Sequence, residues 1–281
     1  MVAAEETPRS AQVRAIDRLA TAPWWLILIL LAGVILVFQF STSATYQAVF
    51  ARILAGLVLT VYITFVAYLA ALIIGLLAGL GRVSKNTVIF TIATLYVQII
   101  RGVPIIVQIF YWAFVITPLV IGGLNGLGNA LAPLLGADNS LTQLTTQKFD
   151  NLYRIIFALA FAYGGFEAET FRAGIESIGK GQMEAARSLG MSYAQAMRYV
   201  ILPQAIRRVL PPLGNDLISM LKDSSLASVL GVRDATNEAR LYAASTFRFV
   251  ETYNSLAFTY LSLTLILSLI VKLIEDRWKQ Y

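Results

Sequence analysis

The sequence predicts an all-α polytopic membrane protein with about six transmembrane helices. Three observations carry that expectation. The 281 residues are 58% hydrophobic and only 14% charged, against about 45–50% apolar and about 25% charged in soluble domains. The apolar residues gather into six long runs. The positive side chains crowd at the ends of those runs instead of forming a solvated patch. A net charge of +6 would suggest nucleic acid only if such a patch existed, so the partner is the lipid bilayer and no nucleic acid is expected. The chain has no Cys and no His. Disulfides, thiolate chemistry, Ser–His–Asp hydrolysis and the commonest zinc ligands are therefore excluded, and neither a catalytic residue nor a metal ligand set is expected.

A bilayer core needs about 20 apolar helical residues. Trp24–Phe40 is the first run, opened by Pro23 and a Trp24–Trp25 pair suited to an interface. It closes on no small-x-small cleavage site and reads as a retained helix after a cytosolic segment, 1–23. Residues 41–281 form the main transmembrane domain. Its runs are Leu54–Leu80, Thr87–Thr117, Ile155–Ile175, a less regular Val209–Val232, and Leu256–Ile274. The fifth of the six contains Pro211, Pro212, Asp216, Lys222 and Asp223, tolerable only where a helix faces protein or a wet cavity. Thirteen Lys and Arg lie on one set of links and termini, against six on the other. The positive-inside rule then places both termini in the cytoplasm and makes 118–151 an external link.

The informative segment lies between the fourth and fifth runs, at 177–203. Gly179 and Gly181 end the preceding helix, and Gln182–Leu189 is a short stretch of good helix formers. Gly190 stands where a left-handed cap belongs, and Ser192 with Gln195 forms an S-x-x-Q capping box for a second helix. A short, glycine-bounded helix therefore projects from the cytosolic face. Its shape suits docking into a partner's groove, although an interfacial helix without a partner has the same pattern. Gly174–Lys180 matches G-x-x-x-x-G-K, but Gly181 replaces the Ser or Thr of a phosphate loop and no strand precedes it. ATP is not bound through that motif.

Charges inside the runs mark the pathway candidates. Arg101 lies roughly 21 Å along the third run and Glu167 roughly 18 Å along the fourth. An amino-acid zwitterion would find in them one partner for its carboxylate and one for its ammonium, or the two could pair with each other. Glu169 and Arg172, three apart on one helix, form a structural or gating ion pair. Lys222, Asp223, Ser224 and Ser225 could unwind the fifth run beside a cavity and serve there as substrate-binding or gate residues. Tyr96, Tyr111 and Trp112 fit a cavity wall or ordinary core and lipid contact. Gly75 and Gly79 give the second run a face for close helix approach.

Glu184-Ala185-Ala186, Gly190 and Leu202-Pro203 resemble the "EAA" loop of ABC-type importer permeases, with Val200 at a position where that pattern has Ile. Ala168–Ile175, Gly181-Gln182, Arg101–Pro104 and Lys222–Leu226 narrow the resemblance to the polar amino-acid uptake permeases, over about 54–272. The resemblance implies a type I ABC importer permease fold: a five-helix core plus one extra N-terminal helix, 24–40. It implies a bacterial inner-membrane location, a second permease chain (identical or paralogous), two separate ATP-binding subunits and an extracytoplasmic amino-acid-binding protein. ATP and Mg would then sit on the partner ATPases, with no cofactor and no ATPase site in this chain. Glu184, Ala185, Ala186 and Gly190 become coupling residues, flanked by Met183 and Met191. A self-contained secondary carrier or channel for a small polar solute remains the alternative.

Overall fold

The computed structural model describes residues 24–136 and 138–279. The expected cytosolic segment 1–23, with Arg9, Arg14 and Arg18, lies outside them. The described residues are helical, with turns and no strand. Contacts divide the chain into two units, Met1–Ala48 and Val49–Tyr281.

The first unit holds α1, Trp24–Thr42, and the opening turn of α2, Ala44–Arg82. Helix α1 has no polar face, and its Leu28, Val34 and Phe38 are exposed. Its last turn folds its own polar groups inward: the Ser41 and Thr42 hydroxyls each donate to the Phe38 carbonyl at 2.8 Å.

The second unit is built around α6, Asn151–Glu176. Against it pack α2, α3 (Thr87–Gly102), α4 (Ile105–Ala130) and α9 (Leu202–Asp223). Helix α11, Phe249–Lys279, packs on α9 and on α10, Ala235–Thr246. Helices α2, α4 and α11 are long and apolar enough to cross a membrane, whereas α6 and α9 are not. The difference is positional. Helix α6 is enclosed by neighbours, so its Glu167 meets protein instead of lipid tails.

Glycine sets the closest approach. A Cβ on Gly75 would lie 2.6 Å from the Cβ of Glu167, and one on Gly79 would lie 2.9 Å from the Ala168 carbonyl oxygen. The small-residue face of α2 is therefore its contact with α6. Around Ile63, Ala67, Leu159, Tyr163 and Met220 the same helices bury the main core.

The third apolar run, read as one helix over Thr87–Thr117, is two. It breaks at Val103, which is extended (φ −109°, ψ 131°), because the Pro104 ring disfavours helical backbone in the preceding residue. The buried Gln108 bridges the break: its Nε2 donates to the Ile100 and Val103 carbonyls, both at 2.8 Å. Past the break, α4 climbs α6 in the antiparallel sense. Arg101 lies beside Glu169, Trp112 stacks near Phe161 and Phe157, and Ala113 meets Arg154.

Helix α4 widens into a π turn at Trp112–Ile116, and the freed carbonyls find donors. Thr117 Oγ1 donates to the Trp112 oxygen at 2.8 Å and Arg154 Nη1 to the Ala113 oxygen at 3.3 Å. The helix continues to Ala130, so the 118–151 link begins helical and adds α5, Ala132–Leu135. Asn139 then holds the link closed, donating to the Gly128 carbonyl at 2.9 Å and accepting from the Leu141 and Thr142 amides.

Candidate functional site

The 177–203 segment folds as a knob. Helix α6 ends at Glu176, the Ser177 hydroxyl donates to the Gly174 carbonyl at 2.7 Å, and α7 runs Lys180–Ser188. Gly190 has φ +84°. Its amide donates to the Arg187 carbonyl and the Met191 amide to the Ala186 carbonyl, the paired bonds that close a helix on a left-handed glycine. Ser192 and Gln195 make the reciprocal capping box that opens α8, Tyr193–Ala196. A π turn, Met197–Ile201, joins α8 to α9.

Packing decides which knob residues face outward. Ala186 is buried, and Met183 packs against a small core of Ile178, Ile201 and Ala205. Glu184, Ala185 and Gly190 are exposed and Met191 is half-buried. Leu189 (81% exposed), Tyr193 and Tyr199 stand beside them. These three were missed by motif reading. The signal was available: a Leu in the last turn before the Gly190 cap has no helix left to pack under.

At the same end of the fold, Glu169 gathers three arginines. Its carboxylate accepts hydrogen bonds from Arg82 of α2 and from Arg172 one turn along α6, and Arg172 also binds Glu176. Arg101, in the last turn of α3, lies 3.9 Å from Glu169 Oε2 and keeps 46% of its side chain exposed. That distance makes an ion pair but no hydrogen bond. The Glu169–Arg172 pair is thus one edge of a network tying α2, α3 and α6.

Arg101 and Glu167 are not brought together. Two residues apart on a helix, Glu167 and Glu169 point to nearly opposite sides, and the one nearest Arg101 is Glu169. Glu167 is fully buried over Gly75, with no hydrogen-bond partner for either oxygen among the described residues. Asp216 of α9 couples to it electrostatically. Around this carboxylate, the Tyr68 hydroxyl donates to the Leu213 carbonyl and that of Tyr96 to the Phe161 carbonyl, both at 2.7 Å. Tyr163 donates to Asp223 Oδ2 at 2.8 Å.

Lys222 is exposed while Asp223 turns inward to Tyr163, the divergence expected of adjacent helical residues. Ser224 is buried, its hydroxyl donating to the Leu221 carbonyl at 2.7 Å. With the half-buried Ser225 it opens a 3₁₀ turn, Ser224–Leu230, so the helix here tightens instead of unwinding. Tyr96, Tyr111 and Trp112 share the wall of one apolar cavity of about 530 Å³ at the α3–α4 break.

The family described as "binding-protein-dependent transport system inner membrane component" matches residues 71–280. The chain belongs to that family. Two members illustrate the relationship. The "probable glutamine ABC transporter permease protein GlnM" of Bacillus subtilis (strain 168) is 39% identical over 182 residues, 65% of this chain and 72% of that protein. The "glutamine transport system permease protein GlnP" of Escherichia coli (strain K12) is 34% identical over 184 residues, 66% of this chain and 73% of that one. Among solved structures, an amino acid ABC transporter crystallised with histidines superposes with a TM-score of 0.66 at 35% identity, covering 85% of this chain and 98% of that one. A chain of the MetNI methionine ABC transporter, in an inward-facing conformation, shares the fold at 18% identity and a TM-score of 0.60. As an inner-membrane component of a binding-protein-dependent transporter, this chain is a multi-pass transport subunit, which favours an importer permease over a self-contained carrier.

Proposed function

We propose that this chain is the permease subunit of an ATP-driven importer for polar amino acids, paired with an identical or paralogous permease chain. Its relatives carry glutamine-permease names, and it has its own partner-shaped element. The single observation that carries the reading is the knob at 177–203. Its rigid caps, its buried Ala186 and half-buried Met183, and its exposed Glu184, Ala185 and Leu189 make a stiff lever with a free face.

In this reading two separate ATPase subunits bind ATP and Mg and dock on that face, and an extracytoplasmic receptor delivers the amino acid at the opposite end. Both termini and the knob lie in the cytoplasm of a bacterial cell. When the ATPases close, each knob follows as a rigid body, and the displacement enters α6 directly through Ser177–Gly179. Arg101 meets the substrate carboxylate, having the freest guanidinium in the ion network. Glu167, enclosed against Gly75 and turned away from Arg101, keeps a place in the core in this reading. Breaking and remaking the Glu169–Arg172 pair accompanies opening at the inner end.

Glu184→Arg tests the coupling face, since it places a long cation where a short exposed acid now stands. The variant inserts in the membrane normally, loses co-purification with the ATPase subunits and loses ATP-coupled uptake. Wild-type uptake and ATPase binding by Glu184→Arg would refute the assignment.

A further inference from the structure

The turn joining α10 to α11 holds the one non-glycine residue with positive φ among the described residues. Phe247 adopts φ +57°, and its amide closes α10 on the Ala243 carbonyl at 2.8 Å. Helices commonly end on such a left-handed residue, but the place normally falls to glycine, because a Cβ there crowds the following carbonyl. Phe247 gains no burial in return: 79% of it is exposed. Its ring meets that of Phe249 edge-on, with centroids 6.2 Å apart, and Phe249 and Val250 are themselves exposed. A strained aromatic residue that its own chain leaves uncovered points to contact with something outside the chain.

Two features identify the partner. The first is that the turn engages its own polar side chains. The Ser245 and Thr246 hydroxyls donate to the Tyr242 carbonyl, and Thr246 Oγ1 accepts from the Arg248 amide at 3.4 Å. Arg248 pairs with Glu251 at 3.3 Å. Self-contained polar groups beside exposed rings suit a lipid interface, where aromatic side chains gather.

The second feature is depth. Between Glu251 and Lys272, α11 has 20 residues without a charge, 252–271. They make about 30 Å of helix, the thickness of a bilayer's hydrocarbon core. Val250, Tyr253, Ala257, Leu261 and Leu265 are all exposed and recur every three or four residues, so they form one lipid-facing stripe. Phe249 and Phe247 lie just beyond the start of that stretch, at headgroup level. Thr236 Oγ1 lies 2.8 Å from the Tyr260 hydroxyl, so α10 and α11 form an antiparallel pair with this turn at its tip. Gly56 of α2 packs on Asp234 at the foot of α10, whereas Arg82 at the far end of α2 binds Glu169. The tip therefore points away from the knob.

We propose that the α10–α11 tip is a membrane anchor on the face opposite the knob, with Phe247 and Phe249 seated among the lipid headgroups. The left-handed turn at Phe247 sets the two rings side by side. The anchor fixes the depth of α10 and of the first turn of α11, whatever solute the chain moves.

The chain has no Cys, so a single nitroxide reads depth without further changes. Val250→Cys keeps both rings and carries the label. The full-length protein is placed in vesicles of phosphatidylethanolamine and phosphatidylglycerol. Collisions are measured with oxygen, which concentrates in lipid, and with a water-soluble nickel chelate. Lys148→Cys, on the exposed 118–151 link, is the aqueous reference. Oxygen collisions exceed nickel collisions at position 250, and the order reverses at 148. Adding Phe247→Ala and Phe249→Ala moves the Val250→Cys label toward water and reverses its order too. Phe247→Gly, which accepts φ +57° without strain, keeps the helical content and gives part of the same shift, so the shift is not unfolding. A label at 250 that nickel reaches as readily as the one at 148 overturns the anchor, as does a collision ratio unmoved by loss of both rings. A label open to nickel in the vesicle and shielded only on adding an extracytoplasmic binding protein also overturns it, and gives the tip to that partner.

Discussion

Adding one methyl group at Gly75 measures how rigidly α2 is set against α6. The new Cβ would lie 2.6 Å from the Glu167 Cβ, with the Ala168 amide nitrogen at 3.2 Å. Carbon atoms in contact rest at about 3.5–4.0 Å, so the helices must separate by about 1 Å. No flexible side-chain tip lies in the way, only a Cβ and backbone. Overpacking of this kind costs about 1–3 kcal/mol. At about 2–4 °C per kcal/mol for a unit of this size, Gly75→Ala lowers the melting temperature of the detergent-purified protein by about 2–12 °C. The swap Gly75→Ala with Glu167→Gly moves the Cβ across the interface and also removes a buried carboxylate that lacks a hydrogen bond. Its melting temperature lies above the sum of the two single changes, a coupling that a double-mutant cycle reads directly. A Gly75→Ala protein that melts within about 1 °C of wild type would mean that α2 is not held against α6 at this distance.

Two further substitutions probe the break and the knob. Gln108→Leu leaves the Ile100 and Val103 carbonyls without their donor in an apolar surround, at about 1–3 kcal/mol for each buried group left unbonded. It lowers thermal stability more than Gln108→Glu, whose protonated carboxyl still donates once, and an equal loss in the two variants would contradict the bridging role. Gly190→Val forces a branched residue into φ +84°, a conformation that costs an L-residue about 1–2 kcal/mol. The knob frays, so ATP-coupled uptake falls while the melting temperature of the helical core holds. Unchanged coupling would show that a rigid cap is not needed.

Local features of this chain were legible in its sequence, and long-range pairings were not. Every apolar run is helical over most of its length because length and hydropathy are properties of a segment by itself. The knob was equally readable, since Gly179, Gly190 and the Ser192–Gln195 box act over three or four residues. Glu169 with Arg172 followed from helical spacing. By contrast, Arg82 and Arg101 reach Glu169 from two other helices, and no periodicity says which face of α3 meets which face of α6. The same gap explains Glu167. Its mid-run position suggested a partner for Arg101, but a shift of two residues along α6 turns the side chain away, onto Gly75. The third run reads as one span, loosened at Gly102 and Pro104, because its composition stays apolar through Val103–Pro104; the structure turns that loosening into a full break at Val103. Hydropathy carries no information about backbone direction, whereas the Pro104 ring does.

The placement of the ion network explains how a surface knob can move buried helices. Helix α7 follows α6 after only Ser177–Gly179, so displacement of the knob enters the last turn of α6. That turn does not move alone. Arg208 fastens its Ser177 carbonyl to α9, Glu169 is held by Arg82 from α2 and approached by Arg101 from α3, and Arg172 locks the turn to Glu176. A Cβ on Gly174 would lie 2.1 Å from Val209, so α6 and α9 also interlock sterically. These links have few intermediate positions: a guanidinium either bridges its carboxylate or does not, and a packed glycine contact does not stretch. In the proposed mechanism a push on the knob would reach the joined ends of α2, α3, α6 and α9 together, the kind of discrete two-arrangement behaviour that alternating access requires. Helix α11 meets α9 beyond this junction, at Gly214 against Val271. It can act as the frame against which the others turn.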